Sequence, residues 1–528
     1  MGERQDYKLF WIILFGLLLL TRVPAMANYF SIDNVNLAFS LEKFDPRIHQ
    51  PQPPGYPFFV FFTRLVNVVF HDAERTFIAV SLLVGAASLC AAYALAGRMF
   101  SHWAGAAAAF LLLVNPVFWH ATVDGPLRPN LALFSLLTAY CCWRCWNGEK
   151  RFVYWGAVAL GVGGGFRPDL LAFLFPLWLV SAWAGTKSWR SVMRAFIVLA
   201  AIGLVWMGAL VIAMGGVESF KNVMLGYTVE QSGQGSVVFG SSSAAWRRQI
   251  SRLVIWNGLA IIGWIWAVPF IFSRADHPAA SQHSSFSRRG NFLFVWVVPG
   301  LIVQAFVHVD APGHTLFSVA ALCVLGGGVL SLVRGREPAL IAAILVNAIV
   351  FLGLFPLPAA AVNAPNQAPS IKNAILFGSN ESSLAYVRAL DGITRMTLKE
   401  IEEFTPKDRS AIIISTDSYV DNWFMNWRIG RYYLPQQDFW ILYNNASPKR
   451  AERIRRDQSL EKRETAPLKI PFREGRILWL IEPDSAFQKQ LAKATKITTG
   501  KYVSYSDITH DSAPFTVDGF EILPQLEP

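Results

Sequence analysis

The chain has 528 residues, of which 53% are hydrophobic and 16% charged, and its formal net charge is +11. Soluble domains carry about 25% charged residues, so a wholly soluble chain is excluded. A nucleic-acid partner is disfavoured as well: the basic excess sits in short breaks between apolar runs, and no basic patch with interleaved aromatics occurs. The five cysteines, Cys90, Cys141, Cys142, Cys145 and Cys323, all lie in or beside apolar segments, so no disulfide framework supports the C-terminal part. Cys142 and Cys145 have CxxC spacing but lack the second ligand pair a zinc site needs, and packing at a membrane edge is the expected role.

Two solvents are legible along the chain. Residues 9–357 consist of apolar runs of helix length with short polar breaks, whereas 358–528 read as ordinary soluble sequence. A hydrocarbon core of roughly 30 Å needs roughly 20 apolar residues in a helix. Spans are expected near 9–26, 77–97, 104–121, 129–143, 152–166, 168–185, 195–215, 254–273, 291–308, 314–333 and 338–357, about eleven in all.

Orientation follows from Lys and Arg in short loops. Arg4 and Lys8 precede the first span, and alternate breaks hold Arg98; Arg144, Lys150 and Arg151; Lys187, Arg190 and Arg194; Arg274, Arg288 and Arg289; and Arg334 and Arg336. These breaks share one side if the N-terminus is cytoplasmic. That places residue 280 inside, and an odd number of spans places the C-terminal region, residue 520 for example, outside. Ala25-Met26-Ala27 resembles a cleavage site after a short apolar stretch, but an uncleaved anchor is expected, because the loop that follows makes more chemical sense held at both ends.

The breaks on the opposite side carry ionisable groups, which are costly near a membrane and usually functional. Arg22 lies near the outer end of the first span, and the outer loop 27–76 brings Asp33, Glu42, Asp45, Arg47 and His49, then Gln50 and the Pro53-Pro54-Gly55 turn before Tyr56. Later breaks bring His120, Asp124 and Arg128, then Arg167 and Asp169, and finally His308, Asp310 and His314. Each has a plain alternative: a solvated acid, an Asp33 that only caps a helix beginning near Asn34, a turn that only precedes the next helix, or histidines resting in the headgroup layer. Several helices nonetheless end in acids and bases at a similar depth.

From 371 onward short apolar strands alternate with amphipathic helices. Strands are expected at AILFG, AIIIS, FWILYN, RILWLIE, YVSYS and FEILP, and helices over 381–391, 417–432 and 485–496, which together predict an α/β domain. The segment Asp421 to Tyr433, DNWFMNWRIGRYY, is rich in aromatics that stack on sugars in binding sites, although a helical aromatic stripe is more often core. Acceptor recognition or structural support is expected of this domain.

Arg22, Asp33-Asn34, NLAFSLEKFD, HQPQPPGYPFF and DGPLRPNLALF, taken in order with the apolar runs between them, resemble the GT-C membrane glycosyltransferases. The similarity is to the branch of protein O-mannosyltransferases and of bacterial enzymes that modify lipid A or lipopolysaccharide core sugars. It extends well over residues 8–200 and by general plan over the later spans, and it departs at Asn34, where that family often has a second acid.

The fold it implies is an α-helical polytopic membrane protein with a C-terminal extracytoplasmic α/β domain. Residues 1–357 would form the glycosyltransferase membrane domain, 358–370 a linker and 371–528 the outer domain. The implied reaction moves a sugar from a polyprenyl-phosphate-linked donor to a lipid, glycan or protein acceptor, by inverting displacement, at the extracytoplasmic face of what is expected to be a bacterial inner membrane. Asp33 is the expected base. Arg22, His49, Gln50, Tyr56, Asp124, Arg128, Arg167, His308 and His314 are the expected substrate contacts, the arginines because a planar guanidinium binds phosphate in a bidentate way. Membrane lipids are expected partners; no cofactor is indicated, and a divalent metal would be compatible but has no evident ligand set. The alternatives are a lipid or sugar transporter, whose site would lie at mid-membrane in broken helices, and a non-catalytic assembly protein, which needs no converging acids.

Overall fold

The computed structural model describes residues 2–269, 280–353, 379–416, 425, 427–443, 449–454, 460–465 and 468–524. By close contact the chain divides into two units, one of Met1–Ala27, Phe44–Arg47 and Pro53–Val387, the other of Asn28–Lys43, Ile48–Gln52 and Arg388–Pro528.

In the first unit every apolar run read as a span carries a helix. These are Gly2–Arg22, Ala73–Met99, His102–Val114 with Pro116–Asp124, Asn130–Trp146, Phe152–Phe166, Asp169–Thr186, Trp189–Ala213, Ser243–Ile261, Ala280–Phe306, Leu316–Leu330 and Arg336–Leu352. The far end of the run read as 254–273, the linker 358–370 and the AILFG strand lie outside the described residues. Among the described residues six helices are long and apolar enough to cross a membrane, or seven if a bent pair counts as one span. Others, such as the 15-residue Phe152–Phe166, fall short of the roughly 20 residues that a straight crossing needs.

The bent pair is the run read as 104–121, which turns by 56°. The residue before a proline is pushed out of the helical region, and Asn115, with ψ of 127°, obliges ahead of Pro116. Its Oδ1 then accepts from the Phe118 N–H at 3.1 Å, which starts the second helix.

The interior is apolar and aromatic, with Trp178, Trp256, Trp296 and Phe317 fully buried. Some of its polar groups are paired across helices far apart in sequence, as burial favours: Trp296 Nε1 donates to Ser135 Oγ at 2.8 Å, and that hydroxyl donates to the Phe317 carbonyl at 3.0 Å. One end of this unit gathers the basic breaks, where Arg289 lies 5.2 Å from the Phe100 ring and Arg336 5.1 Å from that of Trp103. Phe10, early in the first helix, meets Tyr93 there at 5.3 Å. At the other end of the same helix, Arg22 meets Thr122.

Helix Ile32–Glu42 stands where one beginning near Asn34 was weighed, and two helices were not anticipated: Pro57–Phe70 and Val217–Gly235. Pro57–Phe70 follows the Pro53-Pro54-Gly55 turn, where Gly55 adopts φ +97°, a region L side chains rarely enter. A Cβ at Gly55 would also come within 2.5 Å of the Leu210 side chain and 3.0 Å of Pro46. Helix Pro57–Phe70 leaves Phe61, Leu65, Val68 and Val69 exposed, a face suited to lipid.

The second unit is built on a seven-stranded sheet ordered β4-β3-β2-β1-β6-β8-β7. Its strands are β1 (Ser410–Thr416), β2 (Phe439–Tyr443), β3 (Arg450–Ile454), β4 (Leu460–Thr465), β6 (Gly475–Leu480), β7 (Thr498–Thr499) and β8 (Ser504–Ile508). β1 runs parallel to β2 and β6, and the outer pairings are antiparallel. A three-stranded sheet, β5 (Leu468–Lys469), β10 (Phe520–Leu523) and β9 (Phe515–Val517), adjoins it in the chain. The expected strands at AIIIS, FWILYN, RILWLIE, YVSYS and FEILP are β1, β2, β6, β8 and β10. Helices Leu384–Phe404 and Ala486–Ala494 stand where helices over 381–391 and 485–496 were read; of 417–432 the described part is Trp427–Tyr433.

Helix Ile32–Glu42 belongs to this unit. Val35 is buried in one core with Ile413, Ile429, Phe439 and Leu478. Asp391 anchors the approach: its carboxylate accepts from the backbone N–H groups of Asn28 (2.9 Å) and Tyr29 (3.1 Å) and from Asn28 Nδ2 (2.8 Å). Tyr433 Oη accepts from the Phe30 N–H at 2.7 Å.

Candidate active site

The predicted residues fall on both units. In the second unit, Asp33 occupies the first turn of helix Ile32–Glu42, with Ser31 at the N-cap position, so Asp33 lies inside the helix and is not its cap. A carboxylate in the first turn is favoured by the positive end of the helix dipole. Asn34, where the related motif has a second acid, is buried. His49 takes a left-handed φ of 59°. Burial, then the neighbouring Arg428 charge, lower its pKa to about 3, so its imidazole is neutral at physiological pH. Arg428 Nη1 donates to the Ile48 carbonyl at 3.1 Å and fixes that loop. Gln50 is fully buried.

The first unit holds the remaining candidates. Arg22 is fully buried. Its Nε donates to Thr122 Oγ1 at 2.9 Å, Nη1 to Thr21 Oγ1 at 3.0 Å and Nη2 to the Leu113 carbonyl, and the guanidinium lies 4.7 Å from the Trp119 ring. It ties the first span to the bent pair, with three of its five N–H groups directed at protein.

Arg167, in the turn between helices Phe152–Phe166 and Asp169–Thr186, is a forked partner of Asp169, at 2.7 Å and 3.3 Å. Its guanidinium lies 5.4 Å from the Tyr56 ring, so two predicted contacts from distant breaks do meet. Beneath this turn, helices Phe152–Phe166, Asp169–Thr186 and Trp189–Ala213 enclose an apolar groove of about 580 Å³, lined by Gly161, Leu171, Phe175, Pro176, Phe196 and Met207 among others.

Asp124 and Arg128 pair at 3.1 Å across one helical turn. The His308–His314 loop packs on Arg128 so closely that a Cβ at Gly313 would lie 2.5 Å from Arg128 Cδ. The two histidine rings are 5.6 Å apart. The Asp310 N–H donates to His314 Nδ1 at 3.3 Å, which sets that nitrogen as an acceptor.

Sequence reading missed the centre of this cluster. Arg252 bridges Asp310 at 3.2 Å and Glu381 at 2.5 Å. Desolvation raises the Asp310 carboxyl, but Arg252, followed by His308, Arg128 and Arg248, outweighs it and holds the pKa below the usual value. Glu381 goes the other way: burial raises it to about 7, and Arg252 offsets that only in part. Tyr386, whose pKa burial and the Glu381 charge push up, stands 6.2 Å from the His120 ring. The one sequence signal for Glu381 was its place just after the Pro- and Ala-rich linker; no local periodicity marks a pair 129 residues apart.

The result is a set of acids and bases gathered at the helix ends around Arg128 and Arg252. It suits a phosphate-bearing ligand and a group that exchanges a proton near neutral pH. Among the described residues no group of three or more His, Cys, Asp and Glu side chains is placed to hold a metal ion.

Residues 50–212 match the sequence model of a family described as dolichyl-phosphate-mannose-protein mannosyltransferase. No curated protein matches the sequence. The structure is similar to that of ArnT from Cupriavidus metallidurans in the apo state, with TM-score 0.56 and 13% identity over 96% of this chain and 98% of that one. It is equally similar to ArnT bound to undecaprenyl phosphate, with TM-score 0.56 and 12% identity over 95% and 98% of the two chains. Archaeal oligosaccharyltransferase AglB from Archaeoglobus fulgidus, in complex with an inhibitory peptide and a dolichol-phosphate, aligns with TM-score 0.41 and 11% identity over 84% of this chain and 69% of that one. The chain is an integral membrane protein that is similar to that mannosyltransferase family over residues 50–212 and shares the fold of ArnT over nearly its whole length.

Proposed function

We propose that the protein is a GT-C glycosyltransferase that moves a sugar from a polyprenyl-phosphate-linked donor to an acceptor at the extracytoplasmic face of a bacterial inner membrane. The observation that carries this is the family match over 50–212, together with a fold shared with ArnT, a protein seen with undecaprenyl phosphate. The geometry fits the donor. The apolar groove suits a prenyl tail, and Arg167 and Tyr56, which meet at the turn above it, are the proposed phosphate contacts. Arg128 adds a second cation nearby, and His308 and His314 are the proposed polar contacts beside it.

The leaving group is already a phosphate, so it needs cationic stabilisation more than protonation. The acceptor hydroxyl is a poor nucleophile and needs a positioned base. Asp33 is the proposed base, in the unit that also carries His49 and Gln50 as orienting groups, and the sheet-containing unit would select the acceptor, a lipid, glycan or protein.

The test is to incubate the purified protein with a panel of polyprenyl-phosphate sugars and candidate acceptors. Release of free carrier together with glycosylated acceptor is the expected result. Binding of the lipid without turnover across every donor and acceptor pair would point to a carrier or transporter and overturn the reading.

A further inference from the structure

At the end of the first unit opposite Arg22 and Arg167 lies a second cavity, of about 510 Å³, lined by Arg98, Met99, Trp143, Arg144, Asn147, Glu149, Arg288 and Arg289. The arginines come from the ends of three helices far apart in sequence: Ala73–Met99, Asn130–Trp146 and Ala280–Phe306. Four guanidiniums face one carboxylate, an excess of three positive charges.

Glu149 is already taken by Arg144, whose Nε donates to Oε1 at 2.7 Å and whose Nη2 donates to Oε2. That hydrogen bond, then the Arg144, Arg98 and Arg151 charges, hold the Glu149 carboxyl below its usual range. Among the described residues no carboxylate pairs with Arg98, Arg288 or Arg289. Arg288 is held in place by donating to the Trp146 carbonyl, and Arg289 lies against the Phe100 ring.

A cytoplasmic excess of Lys and Arg alone accounts for basic residues scattered along this end. It does not account for several converging on one concavity with a single, already neutralised acid. Such an arrangement is an anion site, and basic pockets between transmembrane helices on the cytoplasmic side suit phosphate-bearing head groups. Trp143 and Met99 give the cavity an apolar wall, which a lipid tolerates and a free anion does not need.

We propose that this cavity binds a phosphate-bearing anion, the head group of an anionic phospholipid of the inner leaflet. The role is independent of the transfer reaction, so the test does not use activity. Purified protein is titrated with phosphatidylglycerol, phosphatidylcholine or inorganic phosphate while retained lipid is followed by native mass spectrometry and thermal stability is recorded.

Phosphatidylglycerol is expected to bind and stabilise where phosphatidylcholine does not. The double variant Arg98→Gln, Arg289→Gln should weaken that binding by on the order of tenfold to thirtyfold. Arg98→Lys with Arg289→Lys should retain most of it, and Arg190→Gln, at an exposed position in another basic break, should retain all of it. Saturable stabilisation by inorganic phosphate alone, lost in the Gln variant, would assign the site to a soluble phosphate. Equal retention of the two lipids with no effect of phosphate, or a Gln variant that binds like its parent, overturns the proposal.

Discussion

At the scale of single residues, two arginines that look alike in sequence separate sharply. Arg22 is buried and directed at Thr122, Thr21 and the Leu113 carbonyl. Arg167 sits in a turn above an apolar groove. Arg22→Ala strips partners from buried acceptors at about 1–3 kcal/mol each, so it should lower thermal stability first. Arg167→Ala should weaken donor binding and leave thermal stability near that of the parent; equal loss of donor binding in both, with both stable, would mean Arg22 also reaches substrate. Asp33→Asn keeps shape and removes a base, and should cost about 10²–10⁴-fold in turnover with expression and donor affinity unchanged. Glu42→Gln and Asp45→Asn should be milder, since Asp45 serves Arg47 through two 2.8 Å contacts. If Asp33→Asn keeps parental turnover while Asp124→Asn loses it, the base belongs to the later loop. Glu381 gives a pH test. Its pKa rises from 4.5 to about 7 in the folded state. Between those values the folded chain holds a proton that the unfolded chain releases, so stability falls as pH rises through that window. Glu381→Gln should flatten thermal unfolding against pH there; an unchanged slope would mean another group sets it.

At the scale of elements, sequence showed what is local and hid what is not. The Asn115-Pro116 step was visible, yet the apolar count ran straight through it and gave one span where a 56° bend stands. Strands β3 and β4 were missed because RAERI and LEKRET are charged, as strands far from the sheet centre often are. Helix Pro57–Phe70 was absorbed into the outer loop because 14 residues are too few for a span, although its apolarity was plain. That the Pro53-Pro54-Gly55 turn only precedes the next helix was the plain alternative, and helix Pro57–Phe70 does follow it, but the need for glycine came only with the structure. At φ +97° an alanine costs about 1–2 kcal/mol from backbone strain, before the contacts with Leu210 and Pro46. Gly55→Ala should therefore lower thermal stability by at least that amount and disturb Tyr56, the next residue. Unchanged stability in this variant would show that the turn relaxes freely.

For the whole molecule, the informative step was the alternation of basic and non-basic breaks, since it predicts which ends of distant helices share a face. The structure brings Arg98, Arg144, Arg288 and Arg289 around one cavity and sets Arg128, Arg167 and the His308–His314 loop among the other breaks. What alternation could not give is which parts of the first outer loop travel with which unit. Residues 28–43 and 48–52 group with 388–528, while 44–47 remain with the membrane unit; that depends on partners such as Asp391 and Tyr433, hundreds of residues away. The side of the membrane each end faces is proposed from charge: translocation disfavours short loops rich in Lys and Arg, so the arginine-lined end is expected to be the cytoplasmic one. Lys150→Cys, at an exposed position in a basic break, should react with a membrane-impermeant maleimide only after the inner membrane is opened. Glu521→Cys, exposed in the sheet-containing unit, should react in intact spheroplasts. The native cysteines interfere little, as Cys142, Cys145 and Cys323 are buried and Cys90 and Cys141 half-buried. Both positions labelling from the same side would break the orientation, and with it the placement of transfer chemistry on the extracytoplasmic face.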